Sequence, residues 1–542
     1  MSGRRETMEA GNPLDVIVVG AGFAGLYMLH KLRGAGFRTQ VIEAGAGVGG
    51  TWYWNRYPGA RCDIPSIEYS YSFSPELERE WRWTERYAAQ PEILAYLDHV
   101  ADRFDLRRDI RFETRVLAAD WDEATLRWTV RLDDGTTLTA PYLVLATGAL
   151  SQPKAPDLPG LAQFKGATLH TATWDDSVET AGKRIAVFGT GSSGIQAIPQ
   201  LAEVAERLTV FQRTPNFAVP ASNHPLTAEQ IAAAGKTLAA DRETARHSPL
   251  GFFDPPRSGS AKVQTEAERA QRFEEQWNAG PAGMLQAYED LLFDEESNHY
   301  AAQFIRDKIA SIVGNPDKVR KMTPTDYPLG SRRMCSEIGF YETMARADVA
   351  LVDVREEPVV EITEDAIVTA SGRYPVDIIV FATGFDACVG AIKAIDIHGR
   401  NGASLREEWA NGPRAYLGLA VAGFPNLFTI TGPGSPSVLS NVVISIEQHV
   451  DWIARCLTDL RADGTATIEA DADVEQAWMA HVDEVAQQTL FPRANSWYKG
   501  HTRDGRDVFM PYVGGVGTYR AKCDEIADAG YQGFITKAGV PA

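Results

Sequence analysis

Two glycine-rich segments of the chain have the spacing that holds the phosphates of a dinucleotide. They read GAGFAG at residues 20–25 and GTGSSG at residues 189–194. In such a segment the first glycine permits a tight turn, the second lets the backbone approach a pyrophosphate, and the third lets a helix pack on a strand. The amino end of that helix then faces the phosphates. Two copies in one chain predict an oxidoreductase that binds two nucleotides.

The residues at the end of the strand that follows each fingerprint helix distinguish the two nucleotides. In the first unit that strand ends at Glu43, whose carboxylate suits a ribose diol and would repel a 2′-phosphate. The first site should therefore hold FAD or NAD rather than NADP. In the second unit the strand ends in Gln212, Arg213 and Thr214, and an arginine can meet a 2′-phosphate in paired hydrogen bonds. This placement predicts NADP, although a solvated residue at a strand end remains the alternative reading in both units.

Each fingerprint lies between an apolar run and a helical pattern, which gives the order strand, turn, helix. The apolar runs cover residues 15–19 and 184–188. A further buried strand with a small-residue turn closes each unit, at residues 142–148 and again at residues 377–384. Alternating strands and helices of this kind are typical of parallel sheets covered by helices. We therefore predict an α/β fold with two Rossmann-like dinucleotide-binding domains.

The region between the two halves of the second unit has a different composition. Residues 221–321 are rich in charged residues and alanine in helical patterns, which predicts a helical insertion with solvated faces. The chain should then return to the second nucleotide domain and afterwards to the first. The predicted domains are residues 1–150 with 376–542, residues 151–220 with 322–375, and the insertion at 221–321.

Composition and charge limit the possible partners. Of the 542 residues 44% are hydrophobic and 23% are charged, as in an ordinary globular protein of several domains. The formal net charge of −19 opposes binding to nucleic acid. A cofactor phosphate must therefore be met by individual arginines rather than by the overall field.

The cysteines and the amino-terminal residues bear on the compartment. Five cysteines are scattered without metal-ligand spacing or a close redox pair, so we expect a reducing compartment, no metal and no disulfide reductase chemistry. Glu6, Glu9 and Asp15 interrupt any signal peptide, and the apolar run at residues 16–29 is too short to span a bilayer. We therefore expect a soluble, cytoplasmic protein without membrane contact.

The segment at residues 49–63 combines glycines with aromatic side chains and has no regular period, which predicts a loop. Its glycines would let the backbone pass close to a flat ligand. Trp52, Trp54 and Tyr57 could wall such a ring system and exclude water. A packed aromatic corner without a ligand is the alternative.

Two motifs carry a resemblance to a known family. The pattern FxGxxxHxxxWD occupies residues 164–175, and GxWxxxxYPGxxxD occupies residues 50–63. Together they resemble the fingerprints of the type I Baeyer–Villiger monooxygenases, in the branch that contains phenylacetone, steroid and cyclohexanone monooxygenases. The resemblance extends over about residues 15–534.

The resemblance implies an enzyme with FAD in the first domain and NADPH in the second. NADPH would reduce FAD, and oxygen would then give a flavin peroxide that inserts one oxygen atom into a ketone. The product would be an ester or a lactone, and sulfoxidation is a plausible further activity. The implied partners are a small-molecule ketone, which could be aryl, cyclic or steroid-like, and molecular oxygen, and we expect a monomer. A peroxide anion must be kept unprotonated and shielded from water.

The same resemblance assigns roles to individual residues. Arg333 would be the fixed cation that stabilises the peroxide and the tetrahedral intermediate, and Asp63 would orient it by an ion pair. Arg332 stands where relatives commonly have lysine and would reach the 2′-phosphate with Arg213. Trp497 matches a tryptophan near the nicotinamide, but residues 499–505 depart from the family pattern and the loop is one residue shorter.

The complete set of expected site residues divides into three groups. The FAD site is expected to contain Gly20, Gly22, Phe23, Gly25, Glu43, Gly50, Thr51, Trp52, Asp63, Tyr69 and Val116. The NADPH site is expected to contain Gly189, Thr190, Gly191, Ser192, Ser193, Gly194, Arg213, Thr214, Arg332, Arg333 and Trp497. The substrate pocket is expected to contain Leu150, Ser437, Val438, Leu439 and Val442, which are small to medium in size and mostly apolar.

His170 allows two interpretations. A fingerprint histidine could act as a general base, but it lies in the linker between the domains and no hydroxyl or acid stands at catalytic spacing. We therefore favour a hydrogen-bonded hinge that couples domain rotation to turnover.

Two other functions remain open at this level. A flavin monooxygenase acting on nitrogen or sulfur would use the same cofactors, although Trp174 with Asp175 and Arg333 weigh against it. A nucleotide-binding sensor without catalysis would keep both fingerprints but would have no need for Arg333 and Asp63.

Overall fold

The computed structural model describes residues 13–154, 156–254, 258–503 and 505–539. In chain order its strands are β1 (Val16–Val19), β2 (Thr39–Ile42), β3 (Ile110–Arg111), β4 (Val116–Asp122), β5 (Arg127–Leu132), β6 (Thr137–Ala140), β7 (Tyr142–Leu145), β8 (Ala167–His170), β9 (Arg184–Phe188), β10 (Arg207–Gln212), β11 (Ala218–Pro220), β12 (Cys335–Glu337), β13 (Val349–Asp353), β14 (Val359–Ile362), β15 (Ala366–Thr369), β16 (Arg373–Pro375), β17 (Ile378–Phe381), β18 (Asp396–His398), β19 (Leu427–Thr429), β20 (Thr465–Ala470), β21 (Lys499–His501), β22 (Asp507–Phe509) and β23 (Phe534–Ala538).

Helices cover both large sheets and fill the insertion. In chain order they are α1 (Phe23–Gly34), α2 (Thr51–Trp54), α3 (Pro75–Glu80), α4 (Gln90–Arg103), α5 (Ser192–Val204), α6 (Ala228–His247), α7 (Glu266–Trp277), α8 (Pro281–Leu285), α9 (Glu295–Val313), α10 (Pro316–Met322), α11 (Phe340–Ala345), α12 (Gly390–Lys393), α13 (Leu405–Glu408), α14 (Val442–Ala462), α15 (Ala472–Gln487) and α16 (Val516–Asp528).

The first sheet has five parallel strands in the order β19-β7-β1-β2-β3. Every residue of β1 and β7 is buried, as expected for parallel strands covered on both faces. The strand at the centre, β1, leads into the first glycine fingerprint and α1. A separate four-stranded sheet has the order β18-β4-β5-β6. Its strands β4, β5 and β6 come between β3 and β7 in the chain and pair antiparallel to each other.

The second sheet also has five parallel strands, in the order β13-β10-β9-β17-β8. Its β9 leads into the second glycine fingerprint and α5 in the same way. Two sheets of this kind, each with a fingerprint helix after a central strand, confirm the predicted α/β fold with two Rossmann-like units.

One predicted domain boundary needs correction. β17 lies inside the second sheet, where it pairs with β9 on one side and with β8 on the other. A return to the first domain at residue 376 would remove this strand from its sheet, so the return must come after Phe381. An apolar run alone does not reveal which sheet a strand joins.

The chain passes between the two halves along two linkers that run antiparallel to each other. The N–H of Lys154 donates to the carbonyl oxygen of Gly384 at 3.0 Å, and the N–H of Asp386 donates to that of Gln152 at 2.8 Å. Pro153 and Phe385 form the bridge between these bonds. The two crossings therefore form a single short ribbon rather than two separate tethers.

The insertion is helical in its described residues, from α6 to α10. Its first helix, α6, is attached to the first half of the chain by Arg242, which is 4% exposed. The guanidinium of Arg242 donates to Glu78 at 3.1 Å and to the carbonyl oxygens of Ile67 and Glu68 at 2.8 and 3.2 Å. The insertion thus contacts the first half of the chain as well as the sheet from which it emerges.

Two further findings concern the helices and the cysteines. Among the described residues no helix combines the length and the apolar character needed to cross a membrane. All five cysteines are buried free thiols. Glu6 and Glu9, used above against a signal peptide, lie outside the described residues.

Candidate active site

An ion pair between Asp63 and Arg333 joins the two halves of the chain. The Nε of Arg333 donates to Oδ2 of Asp63 at 2.8 Å, and its Nη2 donates to Oδ1 at 2.7 Å. The two parallel bonds fix the guanidinium plane as well as its position. The ion pair that the resemblance implies is therefore present, with bidentate geometry.

The third nitrogen of Arg333 is bound from the opposite side. Its Nη1 donates to the carbonyl oxygen of Val438 at 2.8 Å. Burial acts to lower the pKa of Arg333, but the charge of Asp63 and its hydrogen bonds outweigh burial and raise the pKa above its usual value. The Arg333 and Asp63 side chains are 30% and 19% exposed, so the pair lines an accessible space instead of being sealed in the core.

The first fingerprint and the segment at residue 50 approach each other closely enough to form a backbone cradle. A Cβ on Gly50, whose φ is +53°, would lie 2.9 Å from the Cα of Gly22. Two glycines that face each other in this way leave only backbone on either side, as a pyrophosphate requires. The predicted contacts of Gly22 and Gly50 with FAD fit this geometry.

Glu43 lies directly behind this cradle and is 5% exposed. Its Oε2 accepts the N–H of Ala21 at 2.7 Å, and its Oε1 accepts the N–H of Gly45 at 2.7 Å. Burial raises the pKa of Glu43, and the backbone donors oppose that shift. Because a carboxylate offers about four lone-pair sites, both oxygens can still accept a ribose hydroxyl.

The second fingerprint opens onto free space. A Cβ built on Gly191 would meet no atom within 4 Å, so the backbone N–H groups at the start of α5 are accessible to a phosphate. Thr190 connects this turn to the following strand, since its hydroxyl donates to the carbonyl oxygen of Thr214 at 3.3 Å.

Two arginines beside this turn are available for a 2′-phosphate. Arg213 is exposed, and the guanidinium of Arg332 lies 5.3 Å from the ring centre of Tyr327. Within the part of the chain that the structure describes, neither arginine has an acidic partner. The donor set therefore fits NADPH, and arginine in place of the family's lysine at 332 keeps the charge but presents a planar group.

The remaining residues expected at the FAD site are mostly packed by their neighbours. Trp52 donates from Nε1 to the hydroxyl of Tyr69 at 3.2 Å, and both residues are buried. Phe23 begins α1 and Val116 begins β4, and both are buried as well. Thr51 is exposed at the start of α2, a single helical turn within the segment that we predicted to be a loop. One turn is too short to give a sequence period.

The predicted pocket residues pack in different apolar clusters. Val438 and Leu439 pack with Trp497 in one apolar cluster, and Leu150 packs against a second cluster that Trp497 also contacts. Val442 packs instead against the core of the first half. Ser437 is 3% exposed and its hydroxyl has no hydrogen-bond partner among the described residues.

The loop after Trp497 forms a short hairpin from β21 and β22. The Nζ of Lys499 pairs with Asp507 at 3.0 Å across it. Trp497 itself packs on Tyr498, with 4.5 Å between ring centres. β21 and β22 are thus joined by an ion pair as well as by their backbone pairing.

His170 connects both linkers at the end of β8. Its Nδ1 accepts the N–H of Ala172 at 3.0 Å, so the neutral ring carries its proton on Nε2, which lies 3.3 Å from the hydroxyl of Thr383. That hydroxyl donates to the carbonyl oxygen of Lys154 at 3.0 Å. Burial lowers the pKa of His170, which favours this neutral form. The sequence placed His170 in the linker, but it is the last residue of β8 and pairs with Phe381 in the second sheet. Its role as a hinge stays a prediction.

Sequence reasoning missed two residues in this region. Gln196, on α5, binds the segment that precedes Asp63, with its Oε1 accepting the hydroxyl of Tyr57 at 2.8 Å. Its position two residues after the second fingerprint was the available signal. Cys335 was also missed, and its Sγ lies 3.3 Å from the hydroxyl of Ser192.

The chain is similar to known proteins over almost its whole length. Residues 14–236 match the family described as pyridine nucleotide-disulphide oxidoreductase. A Baeyer–Villiger monooxygenase from Pseudooceanicola batsensis is 39% identical over 534 residues, which covers 98% of this chain and 97% of that protein. A phenazine N-monooxygenase from Lysobacter antibioticus is 40% identical over 526 residues, which covers 96% of each.

Solved structures show the same similarity. A steroid monooxygenase in its oxidised form with NADP bound is 49% identical, with a TM-score of 0.93 over 97% of this chain and 100% of that one. A complex of OTEMO with FAD and NADP is 37% identical, with a TM-score of 0.93 over 97% of this chain and 99% of that one.

Proposed function

The chain belongs to the Baeyer–Villiger monooxygenases, and from that membership we propose that the Asp63–Arg333 site inserts one atom of molecular oxygen beside the carbonyl of a ketone. The enzyme is a monooxygenase that depends on FAD and NADPH. The observation that carries the proposal is the bidentate ion pair, which holds a permanent cation between the two nucleotide fingerprints with its third nitrogen anchored on Val438.

The cofactors have matching residues on the two sides of this pair. Gly20, Gly22, Gly50 and Glu43 would hold FAD, because they form a glycine cradle backed by a buried carboxylate. The second fingerprint, with Arg213 and Arg332, would hold NADPH. FAD, when bound and reduced by NADPH, supplies the activation of molecular oxygen.

Arg333 provides the charge that this chemistry needs. An arginine has five N–H donors, and three of them are used, by Asp63 through Nε and Nη2 and by Val438 through Nη1. The remaining two, one on each terminal nitrogen, can donate to an oxygen on which negative charge develops. Because the guanidinium does not lose its proton, the charge is present throughout the cycle.

Asp63 acts on Arg333 rather than on the substrate. Its two oxygens are both occupied by the guanidinium, so it holds the plane of that group and balances its charge during the unliganded part of the cycle. A cation held in advance needs no reorganisation when charge develops beside it.

The substrate is proposed to be a ketone with an apolar body. Val438, whose carbonyl oxygen binds Arg333, packs with Leu439 and Trp497 in an apolar cluster, and Leu150 packs on a second cluster that Trp497 also contacts. Arg333 and the hydroxyl of Ser437 offer hydrogen bonds. Aryl, cyclic and steroid-like ketones fit this chemistry, with an ester or lactone as the product. Oxidation of a sulfide to a sulfoxide is proposed as a further activity.

A direct test is a panel of ketones incubated with purified protein, NADPH and ¹⁸O-labelled oxygen. We expect NADPH consumption that depends on the ketone and a product that has gained one labelled oxygen atom as an ester or lactone. Consumption of NADPH without any such product, across aryl, cyclic and steroid ketones, would contradict the proposal.

A second candidate reaction is the oxidation of an aromatic nitrogen. The observation that favours it is the phenazine N-monooxygenase, 40% identical over 96% of this chain. The same incubation with a phenazine and with a tertiary amine distinguishes the two reactions, because an N-oxide in preference to any ester would reverse the order of the candidates.

The compartment and the oligomeric state are also proposed. A cytoplasmic location agrees with five buried free thiols, and the monomer is proposed from the family resemblance. Sedimentation of the purified holoenzyme at micromolar concentration tests the monomer, and a larger species would overturn it.

Replacing Arg213 with alanine should impair NADPH far more than NADH. A charge-assisted hydrogen bond to the 2′-phosphate is worth about 1.5–3 kcal/mol, so we expect KM for NADPH to rise by about 10- to 100-fold. KM for NADH should change by less than about twofold, since NADH lacks that phosphate. Steady-state kinetics with both cofactors measure this, and equal losses would remove Arg213 from the 2′-phosphate site.

Replacing His170 with alanine should slow flavin reduction by NADPH by about 3- to 10-fold, the value of one or two hydrogen bonds. Ester should still form at the reduced rate, because the ring's hydrogen bonds among the described residues are with Ala172 and Thr383 and not with the Asp63–Arg333 pair. Thr383→Val, which removes the hydroxyl between His170 and Lys154, is the matched variant and should show a smaller change in the same direction. Normal reduction with lost oxygenation would instead make His170 a participant in the chemistry.

A further inference from the structure

The amide of Gln196 is bound to the segment that leads to Asp63. Its Oε1 accepts the hydroxyl of Tyr57 at 2.8 Å and the N–H of Arg61 at 3.3 Å. Its Nε2 donates to the carbonyl oxygen of Arg61 at 3.0 Å. Gln196 therefore binds this segment through both ends of its amide, as a neighbouring strand would.

The backbone of α5 also lies directly against this segment. Gly59 has a φ of +85°, and a Cβ built on it would lie 2.5 Å from the carbonyl oxygen of Gln196. Any side chain at this position would push the helix away. The close approach and the amide bonds together fix α5 against residues 57–61, and Asp63 follows two residues later.

The same helix contacts the chain on the other side of the ion pair. The hydroxyl of Ser192, in the first turn of α5, lies 3.3 Å from the Sγ of Cys335. The Nδ2 of Asn216 donates to that sulfur at 3.1 Å and to the carbonyl oxygen of Arg333 at 3.4 Å. Helix α5 is thus in contact with the segments that carry both members of the pair.

The nucleotide proposed for the second fingerprint would bind at the amino end of this helix. Gly191 precedes the helix, α5 begins at Ser192, and Gln196 lies about one turn later, roughly 6 Å along the axis. A helix transmits a displacement of its end as a rigid body over such a distance. The phosphates and the Asp63 segment are therefore attached to one short rigid element.

From these contacts we propose that Gln196 is a positioning residue, which couples the nucleotide in the second fingerprint to the placement of the Asp63–Arg333 pair. The proposal rests on the function proposed above. Gln196 touches neither cofactor nor substrate in this assignment. It acts through the segment at residues 57–61, and its loss should leave nucleotide binding intact while the cation is less well placed for oxygen transfer.

The coupling should not depend on pH in the working range. Burial raises the pKa of Tyr57 to about 12, so its hydroxyl remains a donor to Gln196. The amide of Gln196 does not titrate. Arg61 contributes only its backbone to this contact, because its guanidinium is paired with Glu85.

The test is Gln196→Ala in the holoenzyme, with two readouts. We expect KM for NADPH to stay within about twofold of the wild-type value, since the fingerprint itself is unchanged. The fraction of NADPH that ends as hydrogen peroxide instead of oxygenated ketone should rise by about 2- to 10-fold, the equivalent of one net hydrogen bond or slightly more. Gln196→Glu keeps the acceptor for Tyr57 and loses the donor to Arg61. Its peroxide fraction should therefore lie between those of the wild type and Gln196→Ala.

Two further variants complete the design. Tyr57→Phe removes the same hydrogen bond from the opposite side, together with the interaction of that hydroxyl with Ser193, and retains the ring. It should raise the peroxide fraction, and Gln196→Ala made in the Tyr57→Phe background should add little to it. Glu203→Ala, on the same helix and exposed, loses a surface ion pair with Arg346, and it is the matched control that should behave as the wild type. If Gln196→Ala loses flavin, the peroxide fraction is measured in Tyr57→Phe and Gln196→Glu instead.

Several outcomes separate this inference from the function on which it rests. A wild-type protein that oxygenates no substrate would defeat the proposed function, whatever the variants do. A wild-type protein that makes product, together with Gln196→Ala and Tyr57→Phe variants of unchanged peroxide fraction, would overturn the positioning role alone. A rise in KM for NADPH that parallels the loss of product would also overturn it, because Gln196 would then support nucleotide binding.

Discussion

Arg333→Ala should fold, bind FAD and accept hydride from NADPH, yet form almost no ester. The guanidinium is the permanent charge beside the reacting oxygen, and removing one donor of this kind typically costs about 3–4 kcal/mol, or about 100- to 1,000-fold in rate. Oxygenated product per NADPH should fall by that factor, and hydrogen peroxide should replace it. Product analysis by mass spectrometry with stopped-flow measurement of flavin reduction separates the two half-reactions.

Two variants control this experiment. Arg332→Ala removes the neighbouring positive charge, which has no acidic partner among the described residues, and should raise KM for NADPH while ester still forms. Arg333→Lys keeps a charge but cannot make the bidentate contact with Asp63, so we expect little recovery. An undiminished ester yield in Arg333→Ala would contradict the assignment of Arg333 as the cation that stabilises the reacting oxygen.

The fold was largely predictable because its strongest signals are local. Each fingerprint needs a strand before it and a helix after it, so residues 16–19 and 184–188 could be assigned to central strands with no tertiary information. The place where the chain returns to the first domain was not predictable in this way. β17 is as apolar as a strand of either sheet, and only its pairing with β8 and β9 shows where it belongs.

The site residues likewise divide into those that a local sequence pattern predicts and those that it does not. Glu43 and Arg213 could be assigned from the residues, because each follows a strand at a fixed place after a fingerprint. The pair of Asp63 and Arg333 is separated by 270 residues, and no local pattern connects them. Their contact was implied only by resemblance, and their roles stay a prediction. The contact of Gln196 with Tyr57 had no such support and required the structure.

Asp63→Ala should lower the rate of ester formation by about 10- to 100-fold, because charge-assisted hydrogen bonds of this kind are worth about 1.5–3 kcal/mol. The variant keeps the Arg333 side chain but removes the two hydrogen bonds with Asp63 that hold it. Its Nη1 can then move away from the carbonyl oxygen of Val438. Asp63→Asn keeps the shape and one acceptor and should lose less. Initial rates of ester formation at saturating ketone and NADPH measure both, with FAD content as the check on folding. Glu85→Gln, which removes a carboxylate paired with Arg61 in the same region, is the matched control and should stay within about threefold.

The decisive measurement combines the two substitutions. If Asp63 acts only by holding Arg333, then the double variant of Asp63→Ala and Arg333→Ala should be no slower than Arg333→Ala alone, because there is no guanidinium left to position. Two residues that each touch the reacting atoms would instead lose rate independently, and the double variant would be slower by the product of the two factors. Since each factor is expected to be about tenfold or more, the two results differ by at least about one order of magnitude. A multiplicative loss would therefore show that Asp63 takes part in the chemistry directly instead of only holding Arg333.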